Sequence, residues 1–118
     1  RGICCLRPGR EGLSENITVK SIVGDFLEHS RLYYFYNGGV EEIYGGSADI
    51  MVRSFDKRVE GLFKITDENC KREAFNILTY NLLDTDNSYS MNEDATYTPL
   101  DVLSNNSFNL YKAFFEVE

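Results

Sequence analysis

The alternation of apolar and polar positions between Arg31 and Ile65 predicts an antiparallel β-meander. Four short runs rich in β-branched and aromatic residues are separated there by glycine or polar breaks. Asn37-Gly38 is the strongest turn signal, because a tight hairpin turn needs positive φ angles, which asparagine and glycine tolerate best. The meander is therefore the predicted centre of the fold.

Two of these runs, 48–54 and 59–65, allow a prediction of register. If residues 55–58 form a four-residue loop, Ile50 faces Phe63 and the apolar positions of both runs share one face. A three-residue loop turns Phe63 to the opposite face, because a slip of one residue reverses every side chain of a strand. We therefore predict a hairpin of 48–54 with 59–65.

Alternation outside the meander predicts further strands at 17–23, 95–102 and 108–118. Pro99 interrupts the second of these and indicates an edge strand or a bend, because proline has no amide hydrogen for the ladder. Residues 84–94 are acidic and polar and are predicted to form a loop.

The segment from Thr66 to Leu83 fits two structures. A short helical turn at 67–72, with Thr66 or Asp67 as its cap, agrees with both. For 74–83 a strand is preferred over a helix, because two asparagines and a threonine weaken the helix there.

These elements predict a mainly β fold in one domain, 1–118, with residues 1–15 as an N-terminal arm. About seven short strands with frequent turns are typical of an antiparallel β-sandwich or a small barrel. The arm contains Pro8, Gly9 and Gly12 and is expected to become ordered only if a cysteine pins it.

Composition narrows the classes of partner. The 118 residues are 42% hydrophobic and 14% aromatic, enough for a core without a metal, and the net charge is −7. The basic residues are scattered, which argues against nucleic acid and anionic lipid, and no apolar run is long enough to span a membrane. A monomer that binds a protein is the expected state.

Cysteines and sequons point to secretion. A disulfide from Cys70 to Cys4 or Cys5 is expected in an oxidising compartment, with three reduced cysteines in a cytosolic protein as the alternative. Glycosylation sequons occur at Asn16 and Asn105, although a pattern this loose also arises by chance. The start at Arg1 fits a secreted protein whose leader has been removed, and artificial trimming of the chain explains it equally well.

No catalytic or metal motif stands out. An EF-hand alignment from Asp84 places Tyr89 where glycine is required and Ala95 where a bidentate glutamate is required, so a solvated loop is preferred to a calcium site. His29 is the only histidine, which excludes a histidine-clustered zinc site, and its pairing with a cysteine on a mobile arm makes a poor nucleophile. We expect no metal and no cofactor.

The aromatic residues give the one hint of a binding surface. If Tyr33 and Phe35 fill the core, then Tyr34 and Tyr36 face outward, because neighbours in a strand point to opposite faces. Together with Tyr44 they offer stiff contact area with polar tips, although packing inside a sandwich is the commoner role of such residues.

The predicted function is that of a small secreted, non-enzymatic β-sandwich that recognises a macromolecule, as a host-directed virulence effector does. The alternative is a carrier of a carbohydrate or small apolar ligand, similar in kind to a lectin or lipocalin, which requires an aromatic-lined cavity. An enzyme requires a cleft with converging titratable groups, and the sequence alone reveals none.

Overall fold

The structure, a computed structural model, describes residues 2, 4–100 and 107–115. These residues form six strands in two three-stranded antiparallel sheets, with three helices. The strands are β1 Lys20–Ile22, β2 Arg31–Asn37, β3 Val40–Gly46, β4 Leu62–Lys64, β5 Ser88–Met91 and β6 Tyr97–Pro99, and the helices are α1 Val52–Asp56, α2 Glu68–Leu83 and α3 Leu110–Phe115.

The chain divides into two compact units. The central unit comprises residues 27–79, and the terminal unit comprises residues 1–26 together with 80–118. Each unit has its own sheet, in the order β2-β3-β4 in the central unit and β1-β5-β6 in the terminal unit. No helix in the described part of the chain has the length and apolar character that crossing a membrane requires.

The central unit is built on the predicted hairpin. Asn37 lies opposite Val40, so Gly38 and Gly39 form a two-residue turn with φ angles of 60° and 94°. Two successive positive φ angles are what a tight hairpin turn requires, and glycine adopts them without a steric penalty. The prediction of a hairpin at this glycine-rich break is confirmed.

One face of this hairpin packs against α2. Ile43 on β3 is 1% exposed, and the ring of Tyr34 meets the ring of Phe75 on α2 edge-on at a centroid distance of 5.9 Å. Ala74, the neighbour of Phe75, is also buried. The core of the central unit therefore lies between β3 and α2.

The terminal unit is joined by a buried carboxylate. Asp84 is 0% exposed and accepts hydrogen bonds from Ser88 Oγ at 2.7 Å, the Asn87 backbone amide at 3.0 Å and the Leu110 backbone amide at 2.9 Å. Burial opposes ionisation, but these hydrogen bonds outweigh it and lower the pKa of Asp84. One side chain thus connects the start of β5 to the start of α3.

The prediction of a β-sandwich or small barrel is wrong. The strands form two separate three-stranded sheets, and helices occupy positions that were expected to be strands. Strand 17–23 is confirmed only over β1. Of strand 95–102, the described part is confirmed over β6, where Pro99 lies on an edge strand as predicted, and residues 101 and 102 lie outside the described residues. The loop predicted at 84–94 contains β5, whose Ser88 and Met91 are buried.

The hairpin of 48–54 with 59–65 is also wrong. Residues 52–56 form α1, and β4 pairs with β3 instead, with Lys64 opposite Tyr44. Gly46 makes this pairing close, because a Cβ atom there would overlap the carbonyl oxygen of Gly61. The backbone distance set by a glycine is not visible in a pattern of apolar and polar positions.

The strand predicted at 74–83 is part of helix α2, and residues 110–115 of the strand predicted at 108–118 form α3, whereas residues 116–118 lie outside the described residues. Asp67 Oδ1 accepts hydrogen bonds from the amides of Asn69 at 3.1 Å and Cys70 at 2.9 Å, so the predicted cap starts α2, which then runs on to Leu83. Asn109 Oδ1 accepts hydrogen bonds from the amides at the start of α3. Capping therefore overrides the weak helix propensity of these sequences.

Candidate functional site

The best-organised charged group of the central unit is Arg31, the first residue of β2. Its Nε donates to Asp49 Oδ1 at 2.7 Å, its Nη2 donates to Asp49 Oδ2 at 3.2 Å, and its Nη1 donates to the His29 carbonyl oxygen at 2.7 Å. A two-bond contact between guanidinium and carboxylate fixes the plane of both groups. The side chains of Arg31 and Asp49 stay 33% and 32% exposed, so the pair lies at the surface.

Two further arginines act on the carboxylate of this ion pair. The hydrogen bonds from Arg31 lower the pKa of Asp49, burial opposes the shift, and the charges of Arg31, Arg53 and Arg58 add to it. Arg53 belongs to α1 and Arg58 follows it, so the segment that failed as a strand brings cations near Asp49. Asp49 therefore stays ionised, with the charges of three arginines acting on it.

The loop after β3 is held in place by hydrogen bonds of the two residues that precede Asp49. The hydroxyl of Tyr33 donates to the Ala48 carbonyl oxygen. Ser47 Oγ donates to Glu60 Oε2 at 2.6 Å and accepts from the Gly61 amide at 3.1 Å. These contacts fix the backbone that presents Asp49 to Arg31.

His29 completes the candidate site. Its side chain is exposed, and its carbonyl oxygen is held by the guanidinium of Arg31, two residues further on. From the sequence, His29 was a candidate only as the partner of a cysteine, and Arg31 was not a candidate at all. The sequence offered only a weak signal for this site. The single histidine is followed by an arginine two positions later, and an aspartate follows the Gly45-Gly46-Ser47 break.

This arrangement suits the binding of an oxyanion. Asp49 and the His29 carbonyl take three of the five N–H groups of the guanidinium, and the other two have no acceptor among the described residues. Arginine is well matched to phosphate and carboxylate because its N–H groups pair with two oxygens at once. The exposed imidazole of His29 belongs to the same short segment and is able to donate or accept a hydrogen bond.

The predicted binding tyrosines lie on the same sheet but are not brought together as a site. Tyr34 is 38% exposed and donates to Glu41 at 3.0 Å, and Tyr36 is 69% exposed. Tyr44 is half-buried, donates to Glu42 at 3.2 Å and packs edge-on against Phe35. Phe35, expected in the core, is 52% exposed, so the assignment of faces along β2 was wrong there.

The predicted disulfide does not form. Cys4, Cys5 and Cys70 are all free and exposed. Cys70 lies near the start of α2, where the neighbouring Asp67 raises the pKa of its thiol. Asn16 is exposed within a turn, whereas Asn105 lies outside the described residues.

The calcium alignment on the acidic loop also has no structural support. Its first residue, Asp84, points its carboxylate into the hydrogen bonds with Ser88 and Leu110 that join the terminal unit. Within residues 4–100 and 107–115, no three histidine, cysteine, aspartate or glutamate side chains come together as metal ligands.

Comparison with known proteins identifies a family. The sequence profile described as polyphosphate kinase C-terminal domain 2 matches residues 1–110. A polyphosphate kinase of Prosthecochloris aestuarii is 52% identical over 98 residues, and one of Synechocystis is 50% identical over 97 residues. The matched regions cover 83% and 82% of this chain but only 14% and 13% of those relatives.

A solved structure agrees with the sequence comparison. The crystal structure of polyphosphate kinase from Porphyromonas gingivalis superposes on 98% of this chain with a TM-score of 0.89 and 32% sequence identity. The superposed region is 18% of that chain. This chain therefore spans less than a fifth of the proteins that it resembles.

These matches overturn the predicted function. The prediction of a secreted, non-enzymatic effector with a disulfide is wrong, because the matching proteins are polyphosphate kinases and the cysteines are free. Secretion was inferred from cysteines and sequons, and enzyme activity was dismissed because no local motif was found. The chain belongs to the polyphosphate kinase C-terminal domain 2 family.

Proposed function

We propose that this chain works as part of a longer polyphosphate kinase and that its central unit holds phosphate groups during phosphoryl transfer. The relatives named as polyphosphate kinases support this, since two of them share about half of the aligned residues with this chain. Because the chain covers 14% of the Prosthecochloris aestuarii relative, the complete reaction requires other parts of the protein.

The observation that carries the proposal is the fixed guanidinium of Arg31. Asp49 and the His29 carbonyl oxygen hold it in one orientation through three hydrogen bonds of 2.7 to 3.2 Å. A cation that is already oriented does not have to be ordered when the phosphate binds or when charge shifts in the transition state. Arg31 thus binds phosphate without losing further side-chain freedom.

Local charge is the second support. The whole chain carries −7, which repels a polyanion. Around the Arg31–Asp49 pair, however, the charges of Arg53 and Arg58 act on Asp49, so that three arginines stand against the carboxylates of Asp49 and Glu60. A phosphate chain is therefore attracted to this part of the central unit in preference to the acidic surface elsewhere.

His29 is assigned to the reacting phosphoryl group. Arg31 holds the backbone of His29, so an exposed imidazole and an oriented guanidinium belong to one short segment. An imidazole in this position donates a hydrogen bond or a proton to a phosphoryl oxygen as charge moves between donor and acceptor. Arg31 binds the phosphate, and Asp49 positions Arg31.

The experiment is polyphosphate synthesis from ATP by the protein that contains this chain. We expect His29→Gln to lower kcat by about 100-fold, the contribution expected of a positioned acid or base. Glu28→Gln is the matched control, because Glu28 is the exposed neighbour of His29 and has no role in the proposal. Equal rates for His29→Gln, Glu28→Gln and the unmodified protein would contradict the proposal.

A further inference from the structure

A second group of charges lies in the terminal unit and includes none of the residues assigned to phosphoryl transfer. These charged residues line an open cleft of about 490 Å³. The lining residues are Arg7, Arg10, Asn92, Glu93, Asp94 and Thr96. This volume is in the range of small-molecule sites. Neither the sequence pattern nor the proposed function gives this cleft a role.

One wall of the cleft is a turn built around Ser14, which is 6% exposed. Ser14 Oγ donates to the Arg7 carbonyl oxygen and accepts from the Arg10 amide at 3.0 Å, and the Ser14 amide donates to the Arg10 carbonyl oxygen at 2.8 Å. The backbones of Arg7 and Arg10 are therefore fixed with no disulfide, contrary to the expectation that a cysteine must pin the arm.

The other wall is the turn between β5 and β6. The Asn92 amide donates to the Thr96 carbonyl oxygen at 2.8 Å, and Asp94 Oδ1 accepts from the amide and the hydroxyl of Thr96 at 3.0 and 2.6 Å. Hydrogen bonds from Thr96 lower the pKa of Asp94, burial opposes the shift, and the charge of Arg7 adds to it. Asp94 is thus ionised and within electrostatic range of Arg7.

The charges that meet in the cleft are only loosely paired. Arg10 Nε lies 3.6 Å from Glu93 Oε1, beyond hydrogen-bond distance, and the two side chains are 50% and 62% exposed. Exposed pairs of this kind contribute little to stability, so a ligand can separate them at little cost. Hydrogen bonds hold the backbones of both walls and the carboxylate of Asp94, while the side chains of Arg10 and Glu93 are free to rearrange around a ligand.

We propose that this cleft binds a phosphate chain together with its divalent cation. Arg7 and Arg10 contact phosphate oxygens, and the carboxylates of Glu93 and Asp94 accept hydrogen bonds from the hydrated cation. Magnesium keeps several of its waters and is usually bound through one or two carboxylates plus substrate phosphates, which matches a site of two cations and two anions. The inference rests on the proposed function, which supplies the phosphate chain.

Hydrogen–deuterium exchange gives a local measurement of this binding. The protein containing this chain is titrated with tripolyphosphate, with and without MgCl₂, and exchange is followed at residues 10–14 and 92–96. We expect slower exchange in both segments with MgCl₂ present. Arg7→Ala combined with Arg10→Ala raises the tripolyphosphate concentration for half-maximal protection by about tenfold or more, since two charge-assisted contacts are lost.

Glu93→Gln tests the contribution of the magnesium ion separately from that of the phosphate chain. It removes one carboxylate charge without touching the Asp94 contacts that hold the turn. We expect this variant to lose most of the difference between titrations with and without MgCl₂. Unchanged magnesium dependence in Glu93→Gln, or no protection of either segment in the unmodified protein, overturns the proposal.

Two variants keep this test distinct from that of the proposed function. Lys112→Ala removes an exposed cation of the terminal unit outside the cleft and should leave the titration unchanged. Arg31→Ala disables the proposed site of the central unit and should still show protection at 10–14 and 92–96. If Arg31→Ala keeps this protection and also retains full polyphosphate synthesis, the proposed function fails while the cleft stands.

Discussion

The central and terminal units use similar elements but differ in how the chain assembles them. The central unit is continuous in sequence, and its first two strands are joined by a two-residue turn. The terminal unit combines two separate segments, and its sheet pairs Lys20 with Ser90. Local pairing leaves a signal in the sequence, whereas distant pairing depends on tertiary contacts that no short window contains.

The two units also differ in what holds them together. In the terminal unit a fully buried carboxylate, Asp84, joins the β5 and α3 regions. In the central unit the close approach at Gly46 sets the strand spacing, and the charged pair of Arg31 with Asp49 lies at the surface. We therefore expect charge substitutions to unfold the terminal unit and to affect mainly the activity of the central unit.

Asp84→Ala should give the largest loss of stability. It leaves the amide of Leu110 and the hydroxyl of Ser88 without their buried acceptor, and we expect the free energy of unfolding to fall by about 3 kcal/mol. Urea denaturation measures this. Asp86→Ala is the control, because Asp86 is exposed. An equal loss of unfolding free energy in both variants would contradict the stabilising role of Asp84.

Gly46→Ala should give the next largest effect, within the central unit. The added methyl group overlaps the Gly61 carbonyl oxygen and forces β3 and β4 apart, at a cost of about 2 kcal/mol in the free energy of unfolding. Gly61→Ala tests the same contact from the other side, where a Cβ atom meets nothing within 4 Å. An equal loss of unfolding free energy for both substitutions in urea denaturation would contradict the close approach of β3 and β4 at Gly46.

A smaller, pH-dependent effect should come from Asp84 as well. Its pKa is lowered in the folded chain, so its charge stabilises the fold above the pKa of an unfolded aspartate, about 4, and this contribution is lost as pH falls through the folded pKa. The difference in free energy of unfolding between the unmodified chain and Asp84→Asn should therefore shrink below about pH 4. A difference that stays constant down to about pH 2 contradicts this assignment.

The same contrast explains what the sequence predicts well. The Asn37-Gly38 break and the cap at Asp67 are local signals, and both predicted the correct feature. The alternation at 108–118 is also local, but Asp84 and Asn109 take the first amides of α3 and start a helix where a strand was expected. Pattern alone does not contain a hydrogen bond from a residue 26 positions away.

The candidate site was missed for a related reason. His29, Arg31 and Asp49 form no compact motif, and Asp49 falls within the run 48–54, which was predicted to be a strand, although it belongs to a loop. The hydrogen bonds of Arg31 to Asp49 and to the His29 carbonyl appear only once the β3 strand returns alongside β2, with Arg31 opposite Gly46. The tyrosines were predicted as the binding residues instead, because the sequence is rich in aromatic residues.

Arg31 is, in this account, an oriented phosphate-binding group in the central unit. The most direct test is kcat/KM for polyphosphate synthesis by Arg31→Ala, with Arg72→Ala, an exposed arginine of α2, as the control. We predict a loss of about 100-fold for Arg31→Ala with little change in its unfolding curve, and nearly normal activity for Arg72→Ala. Full activity in a folded Arg31→Ala protein would contradict the account.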